Sequence, residues 1–475
     1  MRWFLLLICA GSILSAEEEE FQTTAHEIEL PGGTLSYQAV TGFIPLYLKE
    51  ENVADIFFVA YLKEGEEDRP ITFIFPGGPG GAGTHETLMG LGPRRLLTAD
   101  EGRTILPPYR LIDNPQTLLE MTDLVYVDPV GCGYSQVLDE DYLSYFYSVE
   151  GDINSLGQFI HNFVSHFDKW NSPKYLAGGS YGSLRCCGLA YHLLKYDLQV
   201  HGMMIDGCAI EWSTLQSERD RFLPDGLLLP TFAATAWNYG RLWPEKTLLE
   251  VIDYARRFVF DSYLPALLQP SRLTPFQKNA FYRDLADLTG LSIETIRRYK
   301  GRIDETIFSK EFLAEERRVL GRLDTRYSSD FDSIAPEGQD PSYKDSFGIS
   351  AAFKSYLKQE LKTDAPPNYT IFSWNVIGQW QIGTYDSKGE PDFLQRLRRT
   401  MLYNPHMKVF LGMGYYDCRT PFAAAEYCFD HLDLAPSYKK NLQFEYYEAG
   451  HGFLLDYPSL VKLKHDLVRF FQPSN

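Results

Sequence analysis

A serine set among glycines, an aspartate well downstream and a histidine near the end are the residues whose types and order can do chemistry. The stretch Lys174 to Ala177 reads as a short strand. It runs into Gly178-Gly179-Ser180-Tyr181-Gly182 and then into a helical pattern, the arrangement of a nucleophile elbow. Residues flanking such a serine must be small for the chain to turn so sharply. The turn holds Ser180 Oγ clear of the sheet at a helix N-terminus, where developing negative charge is favoured. A serine hydroxyl is a weak nucleophile at its ordinary pKa and needs a base that is itself oriented by an acid. Around this kind of elbow the chain order is Ser, acid, His, so the base belongs after the last strand. Of the ten histidines His451 alone directly follows the strand-like Phe444 to Tyr447, in Glu448-Ala449-Gly450-His451-Gly452. Asp417, six residues past Leu411, is the leading candidate for the orienting acid. Asp206 competes with it, because an acid one or two strands earlier can reach the same histidine in related folds. Asp128 lies upstream of the serine, out of the expected order, and is expected to fix its own turn.

Acyl transfer also needs backbone donors aimed at the oxygen of a tetrahedral intermediate, each worth roughly 10² to 10³ in rate. The strand candidate Ile71 to Phe75 runs straight into Pro76-Gly77-Gly78-Pro79-Gly80-Gly81-Ala82-Gly83. Gly78 is the expected donor from this loop, and Tyr181, the residue after the nucleophile, the other. A phosphate-binding loop is the rival reading. It is set aside because the loop lacks a Gly-Lys-Ser/Thr ending and any G-x-G-x-x-G with an acid at the right distance. No metal-type spacing appears, so neither a metal nor an organic cofactor is implied.

Several elements must position these groups. Short apolar runs at Ile56 to Ala60, Ile71 to Phe75, Leu124 to Asp128, Lys174 to Ala177, Met203 to Asp206, Val409 to Leu411 and Phe444 to Tyr447 read as buried strands. Amphipathic helical stretches such as Asn154 to Phe167 and Ser183 to Tyr196 lie between them. Strand and helix alternating predict an α/β fold, a mostly parallel sheet covered on both faces. From Glu211 to Pro367 the pattern is helix-rich with no convincing strand, which predicts an inserted helical cap. Pro244 is expected to open one of its helices and Gly290 to close another, while Ser328 to Tyr343 reads as a long loop. The expected organisation is an N-terminal segment 1–16, a first core part 17–210, a cap 211–367 and a second core part 368–475.

Composition narrows the partners. The 475 residues are 44% hydrophobic and 23% charged, as in a globular protein, with a formal net charge of −18. Such a surface repels phosphate backbones, so nucleic acid is not an expected partner. Residues 1–16, MRWFLLLICAGSILSA, place one arginine before an apolar run that ends in small residues, as in a secretory signal peptide. The run is too short to cross a bilayer, so stable membrane insertion is not expected, and the protein is expected to be secreted or periplasmic. Of seven cysteines, six remain beyond that segment, an even number that allows either disulfides or simple buried thiols.

With these pieces assembled, the sequence resembles the bacterial branch of the serine carboxypeptidase family, on the α/β-hydrolase fold. The resemblance spans about residues 70 to 470. It rests on the glycine loop, Val127-Asp128-Pro129-Val130-Gly131-Cys132-Gly133-Tyr134-Ser135, the elbow, Tyr415 to Pro421 and Ala449-Gly450-His451. Cap strings Leu229 to Trp237 and Gly321-Arg322-Leu323-Asp324-Thr325-Arg326-Tyr327 also match. It implies a peptidase acting on peptide substrates, with Ser180, Asp417 and His451 as a triad and Gly78 and Tyr181 as the oxyanion hole. Two departures bear on what is cut. The family has Asn where this chain has Pro76 and Glu where it has Gly179, and those side chains hydrogen-bond the substrate's terminal carboxylate. His85 and Arg185 are the nearest substitutes by sequence. With no carboxyl at 179 to share a proton with substrate, activity is expected nearer neutral pH than is usual for the family. The glycine loop and the Gly-Gly-Ser-Tyr-Gly elbow are also similar to the proline iminopeptidase and tripeptidyl aminopeptidase branch, so an aminopeptidase is the alternative. A non-catalytic binding protein on the same scaffold is the third.

Overall fold

A computed structural model describes residues 21–98, 107–330, 340–343, 346–364, 368–382 and 392–472. The segment 1–16 lies outside the described residues, as does most of the loop expected over Ser328 to Tyr343. The frame is a ten-stranded mixed sheet. Its main strands are β1 (Gln22–Leu30), β2 (Gly33–Leu48), β3 (Glu51–Lys63), β4 (Ile71–Phe75), β5 (Asp123–Val127), β6 (Lys174–Gly179), β7 (Val200–Asp206), β8 (Lys408–Gly414) and β9 (Leu442–Tyr447). They lie in the order β1-β2-β3-β5-β4-β6-β7-β8-β9. From β5 across to β9 every neighbour is parallel, whereas β1, β2 and β3 form an antiparallel meander joined to β5. All seven expected runs fall on these strands. The fully apolar β4 and β5 are buried along their whole length, as parallel strands covered on both faces must be. Of the meander only the run in β3 was foreseen: β1 alternates buried and exposed positions, so it carries no continuous apolar run to read.

Helices α1 (Val149–His166) and α2 (Tyr181–His192) pack on the sheet beside the elbow. Between β7 and β8 come α3 (Leu223–Asn238), α4 (Leu248–Phe258), α5 (Pro275–Thr289), α6 (Ser346–Gln359) and α7 (Phe393–Tyr403). After β8 come α8 (Phe422–Asp430) and α9 (Tyr457–Phe471). Gly290 closes α5 in the left-handed conformation, φ 67°, as expected. The helix expected from Pro244 instead starts at Leu248. Thr247 caps it, and a reciprocal Thr247–Glu250 capping box fixes that end more strongly than a proline preference does. The helix-rich stretch also holds a small antiparallel pair, Arg318–Leu320 with Ser328–Asp330, where a loop was expected.

Two apolar clusters organise the packing. The larger fills both faces of the sheet, and the smaller gathers Leu229, Phe232, Leu285, Ile296, Phe308 and other residues of α3 to α5 and their neighbours. Phe353, Tyr356 and Leu357 of α6 belong to the larger cluster, where Tyr356 Oη lies 3.1 Å from Tyr61 Oη of β3. All six cysteines after residue 16 are buried free thiols. Among the described residues no helix is long and apolar enough to cross a membrane.

Candidate active site

Ser180 sits between β6 and α2 with φ 55° and ψ −125°, a left-handed backbone that costs strain in any residue with a side chain. The turn is as tight as its glycines imply. A Cβ on Gly178 would lie 2.5 Å from Gly182 O, and one on Gly182 would lie 2.8 Å from Phe75 O. Ser180 N–H donates to the Asp206 carbonyl at 2.8 Å, tying the elbow to the end of β7. The glycine loop arrives from β4: a Cβ on Gly77 would lie 2.9 Å from Ser180 Cβ, so the Gly77–Gly78 peptide lies beside the serine. Gly78 has φ 121° and is crowded by Gly80 N and Gly81 N, a conformation closed to other residues. Tyr181 opens α2, and its N–H is among those that a helix leaves without an internal partner. Both expected donors thus flank Ser180.

Asp128 does fix a turn, and more. Its carboxylate accepts from Gly83 N at 3.0 Å, Tyr369 Oη at 2.9 Å and Tyr134 N at 3.3 Å, joining the glycine loop, the turn after β5 and the 369–373 segment. That segment in turn pairs with the loop through Ala82 N to Ile371 O and Ser373 N to Gly80 O.

His451 stands in the loop after β9. Its Nδ1 lies 2.8 Å from Asp417 Oδ2, and Asp417 is fully buried. Thr420 Oγ1 lies 2.5 Å from Asp417 Oδ2 and 3.0 Å from His451 Nδ1, while Arg419 N and Thr420 N donate to Asp417 Oδ1. Burial alone would raise the Asp417 pKa. The charge and hydrogen bond of His451 and the bonds from Thr420 outweigh it and hold the carboxyl below its ordinary range. Burial likewise acts to lower the His451 pKa. Asp417 outweighs it, with Asp206 helping and Arg419 opposing, so the ring titrates above its ordinary value. Asp206 is the neighbour without a hydrogen bond to the ring among the described residues. The sequence left the two acids open, and the ring's hydrogen-bonded carboxyl is that of Asp417. No hydrogen bond joins Ser180 Oγ to His451 among the described residues, yet both meet at one peptide. Ser180 N is held by Asp206 O, and a Cβ on the next residue, Gly207, would lie 3.0 Å from His451 Cε1. Catalytic hydrogen bonds are often long without substrate and tighten when it binds.

Of the two substitutes proposed for the terminal-carboxylate contacts, Arg185 is not free to serve. Arg185 is buried, with its Nε 2.7 Å from Asp152 Oδ2 and Nη1 2.5 Å from Pro76 O, so it braces the elbow helix against the glycine loop. Burial pushes the His85 imidazole down to about 4, so what it can offer a carboxylate is the N–H of its neutral ring. The sequence reading passed over Asp206 in this role. A Cβ on Gly179 would lie 2.7 and 2.8 Å from the two Asp206 carboxyl oxygens, so the space above Gly179 already holds a carboxyl. Burial, against the charge of His451, pushes that carboxyl up to about 6. Glu86 stands near it, raised by burial to about 8, with Oε2 buried and unpartnered among the described residues.

Thr420 was also missed, although an acid followed by backbone donors two and three positions on is a legible turn pattern. The loop's other support comes from afar. His451 N donates to Leu323 O at 2.6 Å, Gly450 N to Asp324 Oδ2 at 3.0 Å and Cys418 N to Arg322 O at 3.0 Å. No local signal marks these contacts. Among the described residues, no group of three or more His, Cys, Asp or Glu is arranged to hold a metal ion.

Residues 31–220 match the serine carboxypeptidase family model. "Serine carboxypeptidase-like 15" of Arabidopsis thaliana is 25% identical over 156 residues, 32% of this chain and 34% of that protein. The "pheromone-processing carboxypeptidase KEX1" of Cryptococcus gattii is 30% identical over 127 residues, 26% of this chain. The chain thus spans about a third or less of these relatives' own length, 34% and 18%. Among solved structures, the prohormone-processing carboxypeptidase KEX1(delta)P of Saccharomyces cerevisiae aligns over 91% of both chains with TM-score 0.59 and 15% identity, which establishes the α/β-hydrolase fold.

Proposed function

We propose that this chain, a relative of the serine carboxypeptidases through residues 31–220, is an exported serine exopeptidase that trims peptides from their C-terminus. Ser180 is the nucleophile, His451 the base, Asp417 its orienting acid, and the Gly78 and Tyr181 N–H groups the oxyanion hole. The observation that carries the reading is the surroundings of one imidazole. His451 is bonded to a buried carboxylate 2.8 Å away, and it abuts Gly207, next to the residue that holds the amide of Ser180. In the reaction His451 takes the Ser180 proton as Oγ attacks the scissile carbonyl, and the two N–H groups hold the oxyanion. The ring then returns the proton to the leaving amine, and water releases the acyl-enzyme by the same route. Asp417, kept ionised by its hydrogen bonds, stabilises the imidazolium that forms.

Asp206 supports the C-terminal direction. A protonated carboxyl over Gly179 can donate to a substrate carboxylate, the contact that the residues at 76 and 179 cannot make. The same acid and Glu86, once ionised, favour an N-terminal ammonium, which is the specific support for the aminopeptidase alternative. One assay separates them: an N-blocked peptide and its C-amidated counterpart with a free N-terminus, the products identified by mass. Cleavage of the first alone supports the carboxypeptidase, and of the second alone the aminopeptidase. Ser180→Ala or His451→Ala is expected to lower either activity by several orders of magnitude, and an unchanged rate refutes the site. Failure to cut any peptide or to label Ser180 with a fluorophosphonate favours a binding protein. Residues 1–16 are read as the export signal, so the exported form is expected to begin near Glu17. Residues 211–367 are read as the cap over the site.

A further inference from the structure

Next to Ser180 the central sheet is not sealed. Ile74, Ala177, Met204 and Phe410 stand opposite one another in register across β4, β6, β7 and β8. Their side chains therefore share one face, as do Gly179 and Asp206 two positions further along. A row in the middle of a covered parallel sheet is ordinarily closed to water. Here Ala177 and Gly179 are partly accessible, and Ile74 and Met204 each keep 6% of their surface. The access is a cavity of about 60 Å³, walled on the far side by Leu463 and Leu467 of α9. Its lining takes in Gly179 and Asp206, and Ala177 two residues further back along β6, about 7 Å. A side chain at 179 has no room there, since its Cβ would lie 2.7 Å from the Asp206 carboxyl that stands over this end of the cavity.

The slot is apolar but not wholly so. Thr72 Oγ1 is already taken by Thr122 at 2.8 Å, but Glu86 Oε2 and Tyr126 Oη, both in its wall, are buried without a partner among the described residues. Burial raises the pKa of both, which favours the protonated form that can donate. A buried donor left unmatched is costly, and a ligand that supplies an acceptor there gains that cost back.

The geometry points to a side-chain subsite: the slot beneath Gly179 receives an unbranched side chain of methionine or glutamine length from the substrate's terminal residue, its stem against Ile74, Met204 and Leu467 and its terminal acceptor at Glu86 and Tyr126. This rests on the carboxypeptidase reading, in which Asp206 at the Gly179 end of the cavity receives the same residue's carboxyl. A phenylalanine side chain brings more atoms than methionine or glutamine to a cavity of about 60 Å³, and a lysine would bring a charge into an apolar wall.

N-blocked dipeptides that differ only in the terminal residue test it. Met and Gln are expected to exceed Val, Phe and Lys in kcat/KM by at least about tenfold, the scale on which a hydrophobic pocket discriminates. Ala177→Leu, which fills part of the cavity, is expected to lower Met and Gln at least tenfold more than Gly. Leu467→Phe, which narrows the slot from the helix side, is expected to do the same if both variants fold. Equal rates for Met and Phe, or a uniform loss in both variants, overturn the subsite. A second readout does not depend on peptide direction. Pentanamide is expected to protect Ser180 from fluorophosphonate labelling at a tenfold lower concentration than benzamide, and Ala177→Leu to abolish that protection. Protection without peptide cleavage means that the peptidase reading has failed and the slot stands. Cleavage indifferent to the terminal side chain, with no protection, means the reverse.

Discussion

At the scale of single residues, two carboxyls face one imidazole and are given different work by their surroundings. Asp417 accepts from His451, Thr420 and two backbone N–H groups, which together keep it ionised despite full burial. Asp206 has no comparable set of donors and is pushed up to about 6. The difference predicts separable mutants. Asp417→Asn should lower kcat on peptides and simple esters alike by roughly 10³ to 10⁴, the effect of losing the acid that fixes the ring's tautomer. Asp206→Asn should act chiefly through KM for peptides with a free C-terminus. The pH signs are opposite. The donating form of Asp206 is the protonated one, so KM for free-carboxylate peptides is lowest below about pH 6 and rises up to tenfold per unit above it. The catalytic form of His451 is neutral and its pKa is raised, so ester turnover falls as pH drops through a value above 6.5. Steady-state kinetics on an ester and a peptide across pH 5 to 9 check both slopes, and a peptide KM indifferent to pH removes Asp206 from the carboxylate site.

At the scale of elements, the parallel half of the sheet and the elbow were legible because most of its strands are short apolar runs ended by glycine or proline, with β4 and β5 buried along their whole length. The meander β1 to β3 was legible only in part. β1 alternates, and β2 contains Gly42 and Pro45, which read as breakers although the strand continues through them. The turn after β5 shows how one residue's conformation and another's charge hold the loop that carries Gly78. Gly133 has φ 58°, and a Cβ on it would lie within 2 Å of the Asp128 carboxyl that grips Gly83 N. Gly133→Ala should therefore destabilise the fold by at least about 2 kcal/mol, from left-handed strain and a displaced buried carboxylate together. It should also lower kcat by releasing the glycine loop. Urea denaturation and the rate of ester hydrolysis measure the two effects, and a variant of native stability would show that the turn relaxes without strain.

At the scale of the whole molecule, the acid and the base come from loops after different strands, and what aligns them lies on neither. The segment Arg322 to Arg326 binds both: Arg322 O accepts from Cys418 N, Thr325 N donates to Tyr416 O, Leu323 O accepts from His451 N, and Asp324 Oδ2 accepts from Gly450 N. Arg326 completes the clip, pairing with Asp324 at 2.7 Å and Asp456 at 3.2 Å and donating to Glu448 O at 2.5 Å. The string Gly321 to Tyr327 was visible as a family-like sequence. Its task was not, because these partners lie about a hundred or more residues away and no period or spacing connects them. On the proposed triad, the arrangement gives the helix-rich stretch between β7 and β8 a part in positioning Asp417 and His451. Asp324→Ala removes the acceptor for Gly450 N and one partner of a largely buried Arg326, which keeps Asp456. The expected cost is about 3 kcal/mol, the low end for breaking a buried pair. In the protein that remains folded, kcat should fall by more than KM rises, because the ring of His451 is set less accurately while the slot and the glycine loop are untouched. A loss confined to stability, with the kcat of the folded fraction unchanged, would mean that β9 and its own loop suffice to place the histidine.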